Sequence, residues 1–203
     1  MRIVSKKDIY SGLITGATTG IIGWRVLDFL GSTLPMGIDP VVLPLIIPFL
    51  WVAGVQLGYL LGQFMKPFTQ FGRFACIGFA NAAVDFGVFY ALVAWVGLTA
   101  AAAFSLFKAI SFSFATVHSY YWNKTWTFEA TTTAGGKAEF LSFLSVAVSG
   151  LLVNVAVASM VYAVQPASIA VESWAGIASI AGSALSLIFS FVGFRVFVFK
   201  KTV

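Results

Sequence analysis

The stretch FGRFACIGFANAAVDFGVFYALV, residues 71–93, is echoed by FLSFLSVAVSGLLVNVAVASMVY, residues 140–162. Each stretch is followed by a second apolar segment. An aromatic and basic tail then closes each copy: WNKTWTF begins at Trp122, and FRVFVF begins at Phe194. A repeated pair of apolar segments with a polar residue inside each first segment indicates two helical hairpins that arose by duplication.

The composition indicates a membrane protein. Hydrophobic residues make up 60% of the 203 residues and charged residues only 9%, whereas soluble domains carry about 25% charged residues. Backbone groups in lipid must be hydrogen-bonded within the segment, so the long apolar segments are predicted to be helices. The sequence therefore predicts an all-α membrane protein with six transmembrane helices, at Ile9–Leu30, Val41–Phe64, Phe71–Val96, Ala101–Trp122, Phe140–Val164 and Ser173–Phe194.

The last four helices are predicted to form two parallel helical-hairpin repeats. Each copy contains an even number of helices, so both copies enter the membrane from the same side. We expect two domains: an N-terminal pair of helices at residues 1–66 and a four-helix domain at residues 67–203. Gly12, Gly16 and Gly20 recur at four-residue spacing in the first helix, a pattern that lets helices pack closely.

The basic residues indicate the orientation. Apart from Arg25 and Lys108, they fall at the two termini or near the even-numbered loops: Arg2, Lys6, Lys7, Lys66, Arg73, Lys124, Lys137, Arg195, Lys200 and Lys201. The positive-inside rule then predicts that both termini are cytoplasmic, and we expect a prokaryotic plasma (inner) membrane. The net charge of +5 favours contact with membrane lipids that have anionic headgroups. No solvated basic face is predicted, so we expect no nucleic-acid partner.

Three polar residues are predicted to share one depth in the membrane. Asp85 lies 14 residues after Phe71, Asn154 lies 14 after Phe140, and Lys108 lies 14 before Trp122. Each would stand roughly 21 Å above the cytoplasmic boundary at the rise of an α-helix.

The short turn between the third and fourth helices makes them antiparallel neighbours, so Asp85 and Lys108 are predicted to meet. Asn81 lies one helical turn before Asp85 and on the same face. A charge near the middle of a membrane helix costs about 2.5–3.5 kcal/mol and is usually kept for a function. A structural ion pair that fixes the helix register is the alternative.

A second candidate site is the predicted cytoplasmic rim. Asn123, Lys124 and Trp126 close the fourth helix, and Arg73 lies at the facing end of the third. These residues could attract and orient an anionic headgroup. Aromatic and basic residues are also ordinary anchors at the membrane surface, which is the alternative for Lys124 and Trp126.

Signatures of catalysis are missing from the sequence. One histidine and one cysteine leave little for nucleophilic catalysis or for a metal site, and there is no glycine-rich phosphate loop. We therefore expect no enzyme activity, no cofactor and no metal.

The residues that carry the repeat resemble the GtrA-like family of small membrane proteins. Phe74, Gly78, Asp85 and Phe89 match the family pattern, as does the tail WNKTWTF. The resemblance covers about residues 71–200. It implies a four-helix unit that moves polyprenyl-phosphate-linked sugars across the membrane for the synthesis of cell-surface polysaccharides.

On this resemblance we expect a flippase whose cargo is a polyprenyl phosphate carrying one sugar. Lys108 would neutralise the phosphate, and Asp85, Asn81 and Asn154 would bind sugar hydroxyls. The alternatives are an accessory protein that anchors or feeds a membrane glycosyltransferase, and an ion-coupled exporter that uses Asp85. Six helices enclose only a narrow pathway, so a homodimer is compatible with each of these functions.

Overall fold

The computed structural model describes residues 4–97, 101–130, 135–169 and 171–199. Arg2, Lys200 and Lys201, which support the predicted orientation, lie outside these ranges. Six long helices follow one another: α1 (Lys6–Phe29), α2 (Leu43–Leu61), α3 (Pro67–Val96), α4 (Ala101–Trp122), α5 (Lys137–Ala163) and α6 (Val171–Gly193). The described part of the chain contains no β-strand. The predicted all-α class is confirmed.

Four helical segments are long and apolar enough to cross a membrane: Pro40–Leu61, Pro67–Val96, Lys137–Ala163 and Trp174–Val198. Within the described residues, α1 and α4 do not meet the same criterion. α1 carries charges at both ends, and α4 combines Lys108 with His118 and several hydroxyl-bearing side chains. Membrane crossing by these two helices stays a prediction.

The chain forms two compact units, residues 1–129 and 130–203. The first unit contains α1–α4, and the second contains the α5–α6 hairpin. The sequence predicted a domain boundary between residues 66 and 67, where the four-helix domain was expected to begin. The division into compact units does not test that boundary, which stays a prediction.

Small residues hold the N-terminal helices close together. A Cβ atom on Gly16 would stand 2.5 Å from the Cα of Pro48, and one on Gly20 would stand 2.5 Å from the carbonyl oxygen of Leu43. The predicted close packing through the glycines of α1 is confirmed, and α2 is its partner. Gly58 and Gly72 meet in the same way between α2 and α3. α3 is thereby packed closely on α2.

Both hairpins end in the same unusual turn. Each tail continues the preceding helix as one π-helical segment, Asn123–Thr127 after α4 and Phe194–Val198 after α6. The N–H of Phe128 donates to the carbonyl of Asn123 at 2.9 Å, and that of Phe199 donates to the carbonyl of Phe194 at 2.8 Å. The helical path thus extends beyond Trp122, where the sequence predicted its end.

The π-helical turn brings each closing phenylalanine back onto the first helix of its hairpin. The rings of Phe74 and Phe128 are 6.3 Å apart and inclined at 56°, and those of Phe143 and Phe199 are 6.1 Å apart and inclined at 53°. Phe74 and Phe143 are the positions that the sequence repeat aligns. The internal duplication is therefore visible in the packing as well as in the sequence.

Candidate functional site

Asp85 of α3 and Lys108 of α4 form an ion pair. The Lys108 Nζ lies 2.6 Å from the Asp85 Oδ2, and the Ser111 hydroxyl donates to the Asp85 Oδ1, also at 2.6 Å. Both carboxylate oxygens thus have a donor from the neighbouring helix. The predicted approach of Asp85 and Lys108 is confirmed.

The pair is flanked by aromatic rings and is reachable from one side. The Lys108 Nζ lies 5.8 Å from the ring centres of both Phe86 and Phe89, close enough for the rings to stabilise the ammonium group. The side chains of Lys108 and Asp85 keep 40% and 22% of their surface exposed. The pair is therefore only partly buried.

Ser111 was not predicted from the sequence. It is fully buried and lies three residues after Lys108, so both side chains stand on the same face of α4. The three-residue spacing from Lys108 could have indicated Ser111 from the sequence. However, serines recur along α4, and hydroxyls such as those of Ser113 and Thr116 donate to backbone carbonyls of the preceding turn. Only the position of α3 distinguishes Ser111 from them.

Arg73 lies in a buried cluster rather than on the open rim that the sequence predicted. Its Nε stands 2.7 Å from the Asp8 Oδ1, and its Nη2 donates to the Asp8 Oδ2 at 3.1 Å. The Trp126 indole N–H donates to the same carboxylate at 2.9 Å, and the Tyr59 hydroxyl donates to it at 2.7 Å. Arg73 and Trp126 are only 7% and 1% exposed, so their predicted contact with substrate stays a prediction.

The local sequence places Asp8 at the centre of this cluster. Ser5 caps α1: its hydroxyl accepts from the Asp8 N–H, and the Asp8 carboxylate accepts in return from the Ser5 N–H. Burial acts to raise the pKa of Asp8. The hydrogen bonds from Tyr59, Ser5 and Trp126, with the charge of Arg73, outweigh burial and hold the pKa below its ordinary value.

The other predicted rim residues lie in the π-helical tail. Asn123 is buried, and its amide donates to the carbonyl of Ser119 at 2.8 Å. The Lys124 Nζ stands 3.4 Å from the Tyr120 hydroxyl and 5.7 Å from the centre of its ring. Both therefore contact the last turn of α4.

The two remaining candidates are Asn81 of α3 and Asn154 of α5. Asn81 is half-buried one turn before Asp85, and its Oδ1 has no hydrogen-bond partner among the described residues. The Asn154 amide of α5 donates to the Ser183 hydroxyl of α6 at 3.3 Å. The predicted role of both in binding cargo stays a prediction.

The comparisons with known proteins agree with the sequence pattern. A family model described as "GtrA/DPMS, transmembrane domain" matches residues 73–199, more than half of the chain. The chain belongs to this family. Membership, together with the four apolar helical segments, makes it an integral membrane protein.

A curated relative of the GtrA/DPMS-family chain is the "Uncharacterized membrane protein YngA" of Bacillus subtilis (strain 168). It is 37% identical over 82 residues, which are 39% of this chain and 51% of YngA. The chain thus matches about half the length of this relative. No solved structure matches the chain significantly.

The GtrA/DPMS match begins at Arg73, so Asp8 and Tyr59 lie outside it. The buried cluster therefore joins the N-terminal helices to the first residue of the matched region. An S-x-x-D pattern before an apolar segment predicts a capped helix start, which Ser5 and Asp8 do form. Nothing in that pattern indicates that the carboxylate also binds an arginine 65 residues away.

Proposed function

We propose that this GtrA/DPMS-family chain is a flippase for polyprenyl-phosphate-linked monosaccharides used in the synthesis or modification of cell-surface polysaccharides. The observation that carries the proposal is the Asp85–Lys108 pair, with its 2.6 Å separation and its partial exposure. Charged residues within apolar helices cost several kcal/mol and usually mark a pathway. No catalytic step is part of the proposal.

The cargo fits this chemistry. A polyprenyl phosphate sugar carries one negative charge at its phosphodiester. During transfer Lys108 would leave Asp85 and form an ion pair with this phosphodiester. The freed Asp85 carboxylate and the Asn81 amide could then bind sugar hydroxyls. The prenyl chain would remain in lipid, so the path needs a lateral opening and no closed channel.

A reconstituted-vesicle assay with labelled polyprenyl-phosphate sugars tests this proposal. Lys108→Ala should abolish translocation, because the phosphodiester loses the cation that neutralises it. Ser179→Ala is the matched control: Ser179 lies 15 residues before Phe194, where the second π-helical turn begins, as Lys108 lies 15 residues before Asn123, where the first begins. This variant should leave the flux unchanged. Normal flux in correctly inserted Lys108→Ala would contradict the mechanism.

The second candidate is an accessory protein that anchors or feeds a polyprenyl-phosphate glycosyltransferase. It is favoured by the complete pairing of Asp85, since both carboxylate oxygens already have donors within the hairpin. Such a protein would co-purify with the enzyme and would not move labelled lipid by itself. Under either function we propose the plasma membrane as location with both termini cytoplasmic, and the assembly as a monomer or homodimer.

A further inference from the structure

Glu129 lies between two cations at the edge of the buried cluster. Its Oε1 stands 3.1 Å from the Arg73 Nη1 and 3.5 Å from the Lys7 Nζ. Lys7 also donates to the carbonyl of Thr125 at 3.0 Å, which holds its ammonium group beside the tail. The Glu129 carboxylate thus contacts two positive groups that come from different helices, and one of them, Arg73, also pairs with Asp8.

The two carboxylates bound to Arg73 differ in how firmly they are held. The Asp8 side chain is fully buried, lies 2.7 Å from the Arg73 Nε and accepts a hydrogen bond from the Arg73 Nη2. Glu129 contacts only the Arg73 Nη1, and 43% of its side chain is exposed. Exposed ion pairs contribute little to stability. Arg73 therefore stays in place when Glu129 leaves, and its outer N–H remains directed at the vacated position.

The backbone of Glu129 also favours exchange. Its φ of +51° lies in the left-handed region, which is unfavourable for a residue with a Cβ atom. The residue follows the π-helical tail, where the regular hydrogen bonds of α4 have ended. Movement of Glu129 away from the two cations would not disturb a helix, because the residue lies beyond the last helical segment of the hairpin.

We propose that Lys7 and Arg73 form an anion subsite for a phosphate group, with Glu129 as its internal and displaceable occupant. An arginine N–H together with a lysine ammonium suits phosphate oxygens, because charge-assisted hydrogen bonds to phosphate are strong. This inference rests on the proposed function in one respect, that the phosphate is that of a polyprenyl lipid at its entry side. Asp8 then acts as a positioning residue that holds Arg73.

Binding measurements on the full-length chain in neutral detergent micelles test the subsite, with polyprenyl phosphate as the probe. Glu129→Gln should tighten binding about two- to fivefold, because the internal competitor is removed. Lys7→Gln should weaken it by a similar factor. Lys6→Gln and Glu139→Gln are the charge-matched controls, since they change the net charge equally elsewhere, and they should have smaller effects.

Equal effects of Lys6→Gln and Lys7→Gln, or an unchanged affinity in Glu129→Gln, would overturn the subsite. Competition by inorganic phosphate distinguishes the two sources of the group. If inorganic phosphate does not displace the lipid, while the Glu129 and Lys7 dependence holds, the ligand is the lipid headgroup. If inorganic phosphate alone binds with the same dependence, the subsite stands and its ligand is a soluble phosphate.

Failure of the subsite and failure of the proposed function give different results. A chain that binds polyprenyl phosphate with this dependence but translocates no lipid would retain the subsite and contradict the flippase. Lys108-dependent flux without any effect of Glu129→Gln or Lys7→Gln on binding would retain the flippase and contradict the subsite.

Discussion

The hairpins α3–α4 and α5–α6 share one structural plan and differ in their polar residues. Both end in a π-helical turn, and both pack the closing phenylalanine on the same position of the first helix, Phe74 in one and Phe143 in the other. Asp85 and Lys108 form an ion pair in the first hairpin, whereas Asn154 and Ser183 form a neutral hydrogen bond in the second.

The positions of the repeat at the start of the first helix and in the tail differ even more. Arg73 aligns with Ser142, which is exposed and bonds only the preceding turn of α5. Trp126 is 1% exposed, while Phe197, at the same place in the second π-helical turn, is 68% exposed. The hairpin fold therefore needs the aromatic packing and the turn that both copies have. Arg73, Asp85 and Lys108 have uncharged residues at the aligned positions of the second copy, Ser142, Asn154 and Ser179, so these three charges serve docking of α1 or function.

The largest effect on stability is expected from Arg73→Ala. The change leaves the Asp8 carboxylate buried without its cation, and breaking a buried pair in this way costs about 3–5 kcal/mol. The free energy of unfolding in detergent, followed by tryptophan fluorescence, measures the loss. Ser142→Ala at the aligned position of the second hairpin should change it by less than about 0.5 kcal/mol. Similar losses in both variants would contradict the difference between the two copies.

A smaller difference is expected between Phe143→Ala and Phe74→Ala. Both variants lose the contact with the closing phenylalanine of the tail. Phe143 additionally stacks on Phe194, with ring centres 4.4 Å apart, whereas Asn123 occupies the equivalent place in the first turn.

Phe143→Ala should therefore lose about 0.5–1.5 kcal/mol more than Phe74→Ala. Because the cluster of Arg73 also supports the first copy, the comparison is best made on thermal unfolding of each hairpin, reported by protection of its own amides. An equal loss in the two variants would show that the stacked pair adds nothing.

The smallest effect is expected from Asn154→Ala. The variant removes one neutral hydrogen bond to Ser183, and such bonds between membrane helices contribute about 0.6 kcal/mol on average. A double-mutant cycle with Ser183→Ala measures this coupling. A coupling as large as that between Asp85 and Lys108 would mean that the neutral pair is functionally equivalent to the charged one.

The candidate site was predicted in part from residue counting. Helical rise and the short turn between α3 and α4 were sufficient to bring Asp85 and Lys108 together, because antiparallel neighbours place residues of equal depth side by side. The positions of Arg73 and Trp126 at helix ends predicted a rim, and its contact with substrate stays a prediction. Position along a helix did not reveal that both side chains are buried, because it does not tell which neighbouring helix covers a side chain.

The sequence by itself determined the helical class, the duplicated hairpins and the pairing of Asp85 with Lys108, since apolar length, periodicity and residue spacing are local properties that any membrane fold must respect. Tertiary structure alone decided that Asp8 binds Arg73, that the Ser111 hydroxyl donates to Asp85, and that Glu129 lies between two cations. These contacts join residues 26 to 122 positions apart, and their geometry follows from how α1 and α3 pack on α2 through glycines and how the tail turns back. No local pattern encodes that packing.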